Sequence, residues 1–209
     1  MLETETKHGA EKETGRLEAF SDGVYSIAMT LLVLDLKVPH VNGPGIPGEL
    51  IRALVAQWPS YLAFVTSFFT ILIMWVNHHA MFKLIGKVSR GLMFSNGFLL
   101  MMTTVVPFTT GLVAEYLQKP GGRFATAIYC ATFVLISVGY NLTWHSAAHN
   151  RRLIRSDVPD RAVQTITRNY RFGVPSYLVA TACAFINPTL SMAIISALWI
   201  FWSITPGKE

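Results

Sequence analysis

Six long apolar runs, separated by short clusters of Gly, Pro and charged residues, organise the chain. The first covers about 16–38 and stops at Pro39 and the turn-rich PHVNGPGIPG, a composition that no helix continues through. The second opens at WPS, where Pro59 suits a first helical turn, and runs through YLAFVTSFFTILIMWVNHHAMF. The third, about 91–117, contains Pro107 as a predicted kink and closes at QKPGG. The fourth, about 123–149, is followed by the basic stretch NRRLIRSDVPDR. A tight turn at Asn187 and Pro188 divides the fifth, about 163–186, from the sixth, about 188–205. Runs of about 20 residues match a hydrocarbon layer of about 30 Å. The pattern predicts an all-α polytopic membrane protein with six transmembrane helices per subunit. Residues 1–15 read as a flexible cytoplasmic N-terminal tail, and 16–206 as one transmembrane domain.

Composition agrees with this reading. The 209 residues are 52% hydrophobic and only 14% charged, with mean hydropathy +0.41. Soluble domains carry about 25% charged residues, so a soluble enzyme or scaffold is excluded. Cys130 and Cys183 lie inside apolar runs and imply no disulfide. The polar start, MLETETKHGAEKETG, lacks the order of a signal peptide and is expected to be retained. If six helices alternate in direction, Lys37, Arg52, Lys119 and Arg123 fall on one side and the other Lys and Arg residues on the opposite side. Basic residues mark the cytoplasmic face, which places both termini in the cytoplasm of a multi-pass protein. The basic clusters at 83–90 and 151–171 share a side only if an even number of runs lies between them, which supports the count of six. Topology thus accounts for the net charge of +5, and no nucleic acid partner is called for.

The first run, RLEAFSDGVYSIAMTLLVLDLKVP, carries Arg16, Glu18, Asp22 and Asp35 where lipid tolerates almost no charge. An acidic side chain deep in a helix costs about 3 kcal/mol on insertion scales, so the helix must be shielded by protein or line water. On a helical wheel Glu18, Ser26, Met29, Val33 and Leu36 lie within about 40° of Asp22. Arg16, Phe20, Gly23, Ile27, Leu31 and Leu34 lie about 100–180° away, with Thr30 between at about 80°. One face is anchored by carboxylate and hydroxyl groups, and the other is an apolar ladder. Arg16 and Asp22 do not stack as helical neighbours, so each needs a partner on another helix. The second run leaves the membrane where the first enters it, which puts Trp75, Asn77, His78 and His79 at the depth of Asp22. Any of them can donate to a buried carboxylate. The plainer alternative is that Arg16 and Asp22 are interfacial charges that reach water.

The motif R-x-x-x-F-S-D, formed by Arg16, Phe20, Ser21 and Asp22 and followed by GVYSIAMTLLVLDLKVP, resembles the first-helix signature of the transmembrane protein 175 family. These are the lysosomal potassium channels and their prokaryotic relatives. Eukaryotic members carry two six-helix repeats; a single FSD here resembles a prokaryotic single-repeat member. The resemblance implies a homotetrameric, potassium-preferring cation channel of the cell membrane, its pore lined by the first helix of each subunit. By the same resemblance Ile27 takes the narrowest apolar ring, Leu31 and Leu34 form rings further outward, and Thr30 adds hydroxyls. Periodicity alone would assign an Ile and Leu stripe to core packing; the resemblance reverses that assignment. Such a ring gates by dewetting. Monovalent cations are then the permeant species, potassium first, with no cofactor.

Other patterns point elsewhere. SVGYN, Ser137 to Asn141, echoes a potassium selectivity filter, but that filter is a non-helical loop and this copy lies within a continuous apolar run. HSAAH sets His145 and His149 one helical turn apart, a spacing that suits two metal ligands. With His78 and His79 it makes a histidine-metal membrane enzyme the rival reading. Against it stand the small number of histidines, 6, and the lack of His-Glu-x-x-His. A secondary transporter would show matching halves and helices broken at mid-membrane, and only Pro107 is a strong breaker. No paired carboxylates, nucleophile with base or phosphate-binding Gly loop is present, so the expectation is no enzyme and no metal.

Overall fold

A computed structural model describes residues 2–40 and 47–204. Among them are seven α-helices, and an isolated bridge between Ile85 and Ile154 is the one β pairing. The first, α1 (Leu2–Leu31), continues into a 3-10 turn over Leu32–Asp35. Then come α2 (Pro47–Ala56), α3 (Trp58–Phe82), α4 (Arg90–Tyr116), α5 (Gly122–Ala148), α6 (Asp160–Ala184) and α7 (Pro188–Ile204). Six of the seven occupy the six apolar runs. The seventh, α2, corrects the count: Pro47 suits a first helical turn, and Leu50, Ile51, Leu54 and Val55 then recur with helical period. Its 10 residues are too few to cross a bilayer, and those four side chains are exposed. The first helix also begins well before Arg16, because good helix formers around Ala10 to Glu13 carry it upstream.

Among the described residues, four stretches are long and apolar enough to cross a membrane: Glu13–Asp35, Trp58–Phe82, Arg90–Tyr116 and Gly122–Arg151. The apolar helix Pro188–Ile204 has 17 residues, about 25 Å at 1.5 Å per residue. With 25 residues α6 has the length, but Arg161, Arg168 and Arg171 lie in its first half. The chain is a multi-pass, all-helical membrane protein. Helical backbone satisfies its own polar groups, which is the condition for crossing hydrocarbon.

Local chemistry sets several helix ends. Ser89 caps α4 by accepting from the Leu92 amide at 3.2 Å, and Asn187 accepts from the Leu190 amide at 3.1 Å just before Pro188 opens α7. Gly121 adopts φ 101°, and a Cβ on Gly122 would meet the Tyr116 carbonyl at 2.5 Å, so this turn admits only glycine at close quarters. Pro107 does not end α4, which runs through it as one helix.

The most heavily packed helix is α5, which lies against α4, α6 and α7. A Cβ on Gly139 would sit 3.0 Å from the Leu99 Cα, so the glycine of SVGYN marks close approach of α4 and α5 within a helix. Asn141 secures the other side of α5, donating to the Ser137 carbonyl at 2.8 Å and to the Tyr170 carbonyl at 3.0 Å. In turn α1 packs on α3 and α4, and α7 on α6, α3 and α5.

Candidate functional site: the first helix and its anchors

One stripe of α1 is fully enclosed: Ser21, Tyr25, Ala28 and Leu32, with Thr14 a turn or two below. This stripe is rotated from the face expected from Asp22, since Ser26 and Val33 are exposed. Tyr25, the largest side chain on this stripe, is fully buried at its centre, most of a right angle from Asp22 on the helical wheel. Its hydroxyl lies 2.9 Å from that of Tyr140, which donates to the Met74 carbonyl at 2.5 Å.

Three further links join α1 to its neighbours. The Trp75 indole N–H donates to Asp22 Oδ1 at 2.8 Å. His79 Nδ1 meets Glu18 Oε1 at 2.6 Å and stacks beside Trp75. Deeper, Asn96 of α4 donates through Nδ2 to Ser21 Oγ at 2.9 Å, and Ser21 donates to the Leu17 carbonyl at 2.8 Å. With its Nδ2 a donor, Asn96 presents Oδ1 to His78 Nε2 at 2.9 Å, which fixes the N–H of that ring on Nε2. The fully buried His78 Nδ1 is without a hydrogen-bond partner among the described residues, as suits a neutral ring. Glu18, Ser21, Asp22 and Tyr25 thus fall at i, i+3, i+4 and i+7 and clamp one face of α1 to α3, α4 and α5.

Of the four donors expected near Asp22, the structure brings Trp75 to it. His79 pairs with Glu18 instead, and His78 reaches α1 only through Asn96. Asn77 points away, donating to the Ile73 carbonyl at 2.8 Å and to the Trp202 carbonyl of α7 at 3.1 Å. Arg16 and Phe20 are exposed, and no ion pair joins Arg16 to Asp22 among the described residues. Asn96 was missed, although an amide in the apolar run MFSNGFLL, at the depth of His78, carries the same signal that singled out Trp75 and His79.

The opposite face of α1 is open. Ile27 is 58% exposed, Leu31 42% and Leu34 72%, with Thr30 beside them, its hydroxyl donating to the Ile27 carbonyl at 2.9 Å. Only 22% of the apolar part of this span is covered by the chain itself, against 39–61% for the other three. Of these four spans, the one with the most charge therefore has the least cover.

Residues 16–107 match the sequence model of the endosomal/lysosomal potassium channel TMEM175. That match runs from Arg16 to Pro107 and contains every anchor of α1 except Tyr140. A potassium channel of Chamaesiphon minutus is 46% identical over 194 residues, 93% of this chain and 95% of the relative. This chain belongs to the TMEM175 family. The crystal structure of a lysosomal potassium-selective channel TMEM175 homolog from Chamaesiphon minutus superposes with TM-score 0.82 at 45% identity, over 92% of this chain and 97% of that one. The endosomal/lysosomal proton channel TMEM175 of Gallus gallus is 34% identical over 143 residues, which is 66% of this chain but 28% of that protein. The chain is a single-repeat TMEM175 member, as the lone FSD motif implied. Its family consists of ion channels, which removes the histidine-metal enzyme as a reading.

Proposed function

We propose that the protein is a homotetrameric, potassium-preferring channel whose pore is lined by α1 of each subunit. The observation that carries this is the two-faced character of α1. One face is fixed by Glu18, Ser21, Asp22 and Tyr25, and the other, with Ile27, Thr30, Leu31 and Leu34, is left without cover. Gly23, Ser26 and Thr30 interrupt that second face, and Arg16 lies below it, a poor composition for lipid contact. Four copies arranged about an axis bring four Ile27 side chains together at the narrowest level, with Leu31 and Leu34 further outward. An apolar constriction of this kind excludes water when closed and sets the barrier when open. Thr30 spends its proton on its own helix, so its oxygen lone pairs are what it offers to a cation.

The same reading gives six membrane crossings, with α6 and α7 completing the four longer spans, and both termini in the cytoplasm of the cell membrane. Residues 16–206 then act as one channel domain and 1–15 as a cytoplasmic extension. Ser21, Asp22, Trp75, His78 and His79, with Glu18 and Asn96, form its structural polar network, whereas Arg16 and Phe20 lie exposed outside it and Asn77 serves α7. Monovalent cations are the permeant species and no cofactor takes part. Reconstituted in liposomes, the protein is expected to pass K+ faster than Na+ and faster than protons, each read under an imposed gradient. Ile27→Asn, which wets the ring, is expected to raise leak and weaken the preference for K+. Absence of cation flux, or flux indifferent to Ile27, overturns the proposal; proton flux in excess of K+ reassigns the permeant ion.

A further inference from the structure

Where α4 begins and α5 ends, a cavity of about 480 Å3 opens between the two helices and the turn that follows α5. Arg90 and Ser89 line it from α4, His145 and Ser146 from α5, and His149 and Arg152 from the turn. No Asp or Glu contributes to its wall. Nearby cations are neutralised: Arg151 pairs with Asp160, and Arg155 with Asp157 at 3.0 Å. Arg90 and Arg152 have no such carboxylate among the described residues, and the His145 and His149 rings lie 5.3 Å apart. Two permanent charges and two imidazoles therefore converge on one space without a counter-ion, an arrangement that repels metal cations and attracts an anion.

The site is built, not incidental. Asn150 and Arg151 adopt φ of 52° and 54°, a left-handed pair that turns His149 and Arg152 back toward α4. Arg151 holds this turn by donating to the Val158 carbonyl at 2.6 Å. The adjacent loops are stitched together, Gly86 N–H to the Leu153 carbonyl at 2.8 Å and Arg155 N–H to the Leu84 carbonyl at 3.0 Å. Both wall hydroxyls already accept, Ser89 from the Leu92 amide and Ser146 from Ser95, and each keeps its own proton to give to a ligand. Guanidinium forks and hydroxyl donors are the set that recognises phosphate oxygens.

We propose that this cavity binds a phosphate-bearing anion. Of the stretches long and apolar enough to cross a membrane, one starts at Arg90 and another ends at Arg151, which would set the cavity at the level of lipid headgroups. An anionic phospholipid is the nearest source, and soluble phosphate is the other.

The test is made on the purified full-length protein in neutral detergent, reading thermal stability and lipid retention by native mass spectrometry. Phosphatidylglycerol, phosphatidylcholine and inorganic phosphate are the probes. Phosphatidylglycerol is expected to stabilise the protein and to be retained, whereas phosphatidylcholine is not. Arg90→Gln with Arg152→Gln is expected to weaken that binding at least fivefold, and Lys83→Gln with Lys87→Gln, outside the cavity, to leave it unchanged. Protection by inorganic phosphate equal to that of the lipid supports the site and identifies a soluble ligand. If the double Gln variant does not fold, Arg90→Lys with Arg152→Lys keeps the charge but loses the forks. A measurable weakening in that variant supports the proposal, and unchanged affinity overturns it. Equal protection by phosphatidylcholine, protection by no probe, or equal loss in the Lys83 and Lys87 control also overturns it.

Discussion

Asn96 is the residue on which the anchoring of α1 turns, because its one amide serves two helices at once. Nδ2 holds Ser21 on α1 and Oδ1 holds His78 on α3, and all three side chains are buried. Asn96→Ala leaves the buried His78 Nε2–H unpartnered and takes from Ser21 Oγ the donor it accepts, although Ser21 keeps its own bond to the Leu17 carbonyl; a buried polar group left unmet costs about 1–3 kcal/mol. The variant is expected to unfold several degrees lower in a thermal scan in detergent. Asn77→Ala is the control on the same depth: its amide binds the Ile73 and Trp202 carbonyls and not α1, so it should loosen α7 without changing ion selectivity. Trp75→Phe separates charge from packing, since it keeps an aromatic ring and removes the N–H that meets Asp22. Equal stability of the Trp75→Phe protein and the parent would mean that Asp22 finds water instead.

At the scale of elements, α1 presents one clamped and one open face, and substituted cysteines test the pore-lining role proposed for the open one. In a Cys183→Ser background, with Cys130 buried, cysteines at Ile27 or Leu34 are expected to react with a membrane-impermeant thiol reagent and reduce K+ flux. A cysteine at Ala28, 1% exposed on the enclosed stripe, is expected to resist it. Reaction at Ala28 faster than at Ile27 would invert the assignment of faces. The sequence made the ladder legible because Ile27, Leu31 and Leu34 repeat with helical period, and it made Asp22 conspicuous because charge in an apolar run is costly. It did not reveal the rotation of the helix. That depends on where Tyr25 finds space, and the space is made by Tyr140 and Met74, more than 40 residues away along the chain. Nor did it reveal α2, because Gly and Pro hid a short helix whose apolar residues have no core to enter. The close approach at Gly139 was legible only as a glycine in a helix. Its partner Leu99 shows what a side chain would cost: Gly139→Val overpacks α4 against α5 and is expected to destabilise the fold by about 1–3 kcal/mol.

For the molecule as a whole, the deficit of cover on α1 is itself an argument about assembly. Within one chain Glu13–Asp35, formed by α1 and the turn after it, is the least covered of the four longer spans, yet it holds Glu18, Asp22 and Asp35. A monomer would expose Gly23, Ser26 and Thr30 to hydrocarbon along the same face as Ile27 and Leu31, next to Arg16. In the proposed assembly, association of several copies removes that face from lipid and gives it to a shared axis, so that one surface would be withdrawn from lipid and would line the path. The two roles predict linked behaviour. Native mass spectrometry or light scattering of the purified protein is expected to give four times the 23.2 kDa chain. Asp22→Ala, which frees α1 from Trp75, should shift the population toward smaller species and lower flux in proportion. Ile27→Asn, on the proposed axis, should leave the tetramer intact while changing flux. A fully tetrameric Asp22→Ala protein with flux abolished would detach the anchor from assembly and place Asp22 on the conduction path.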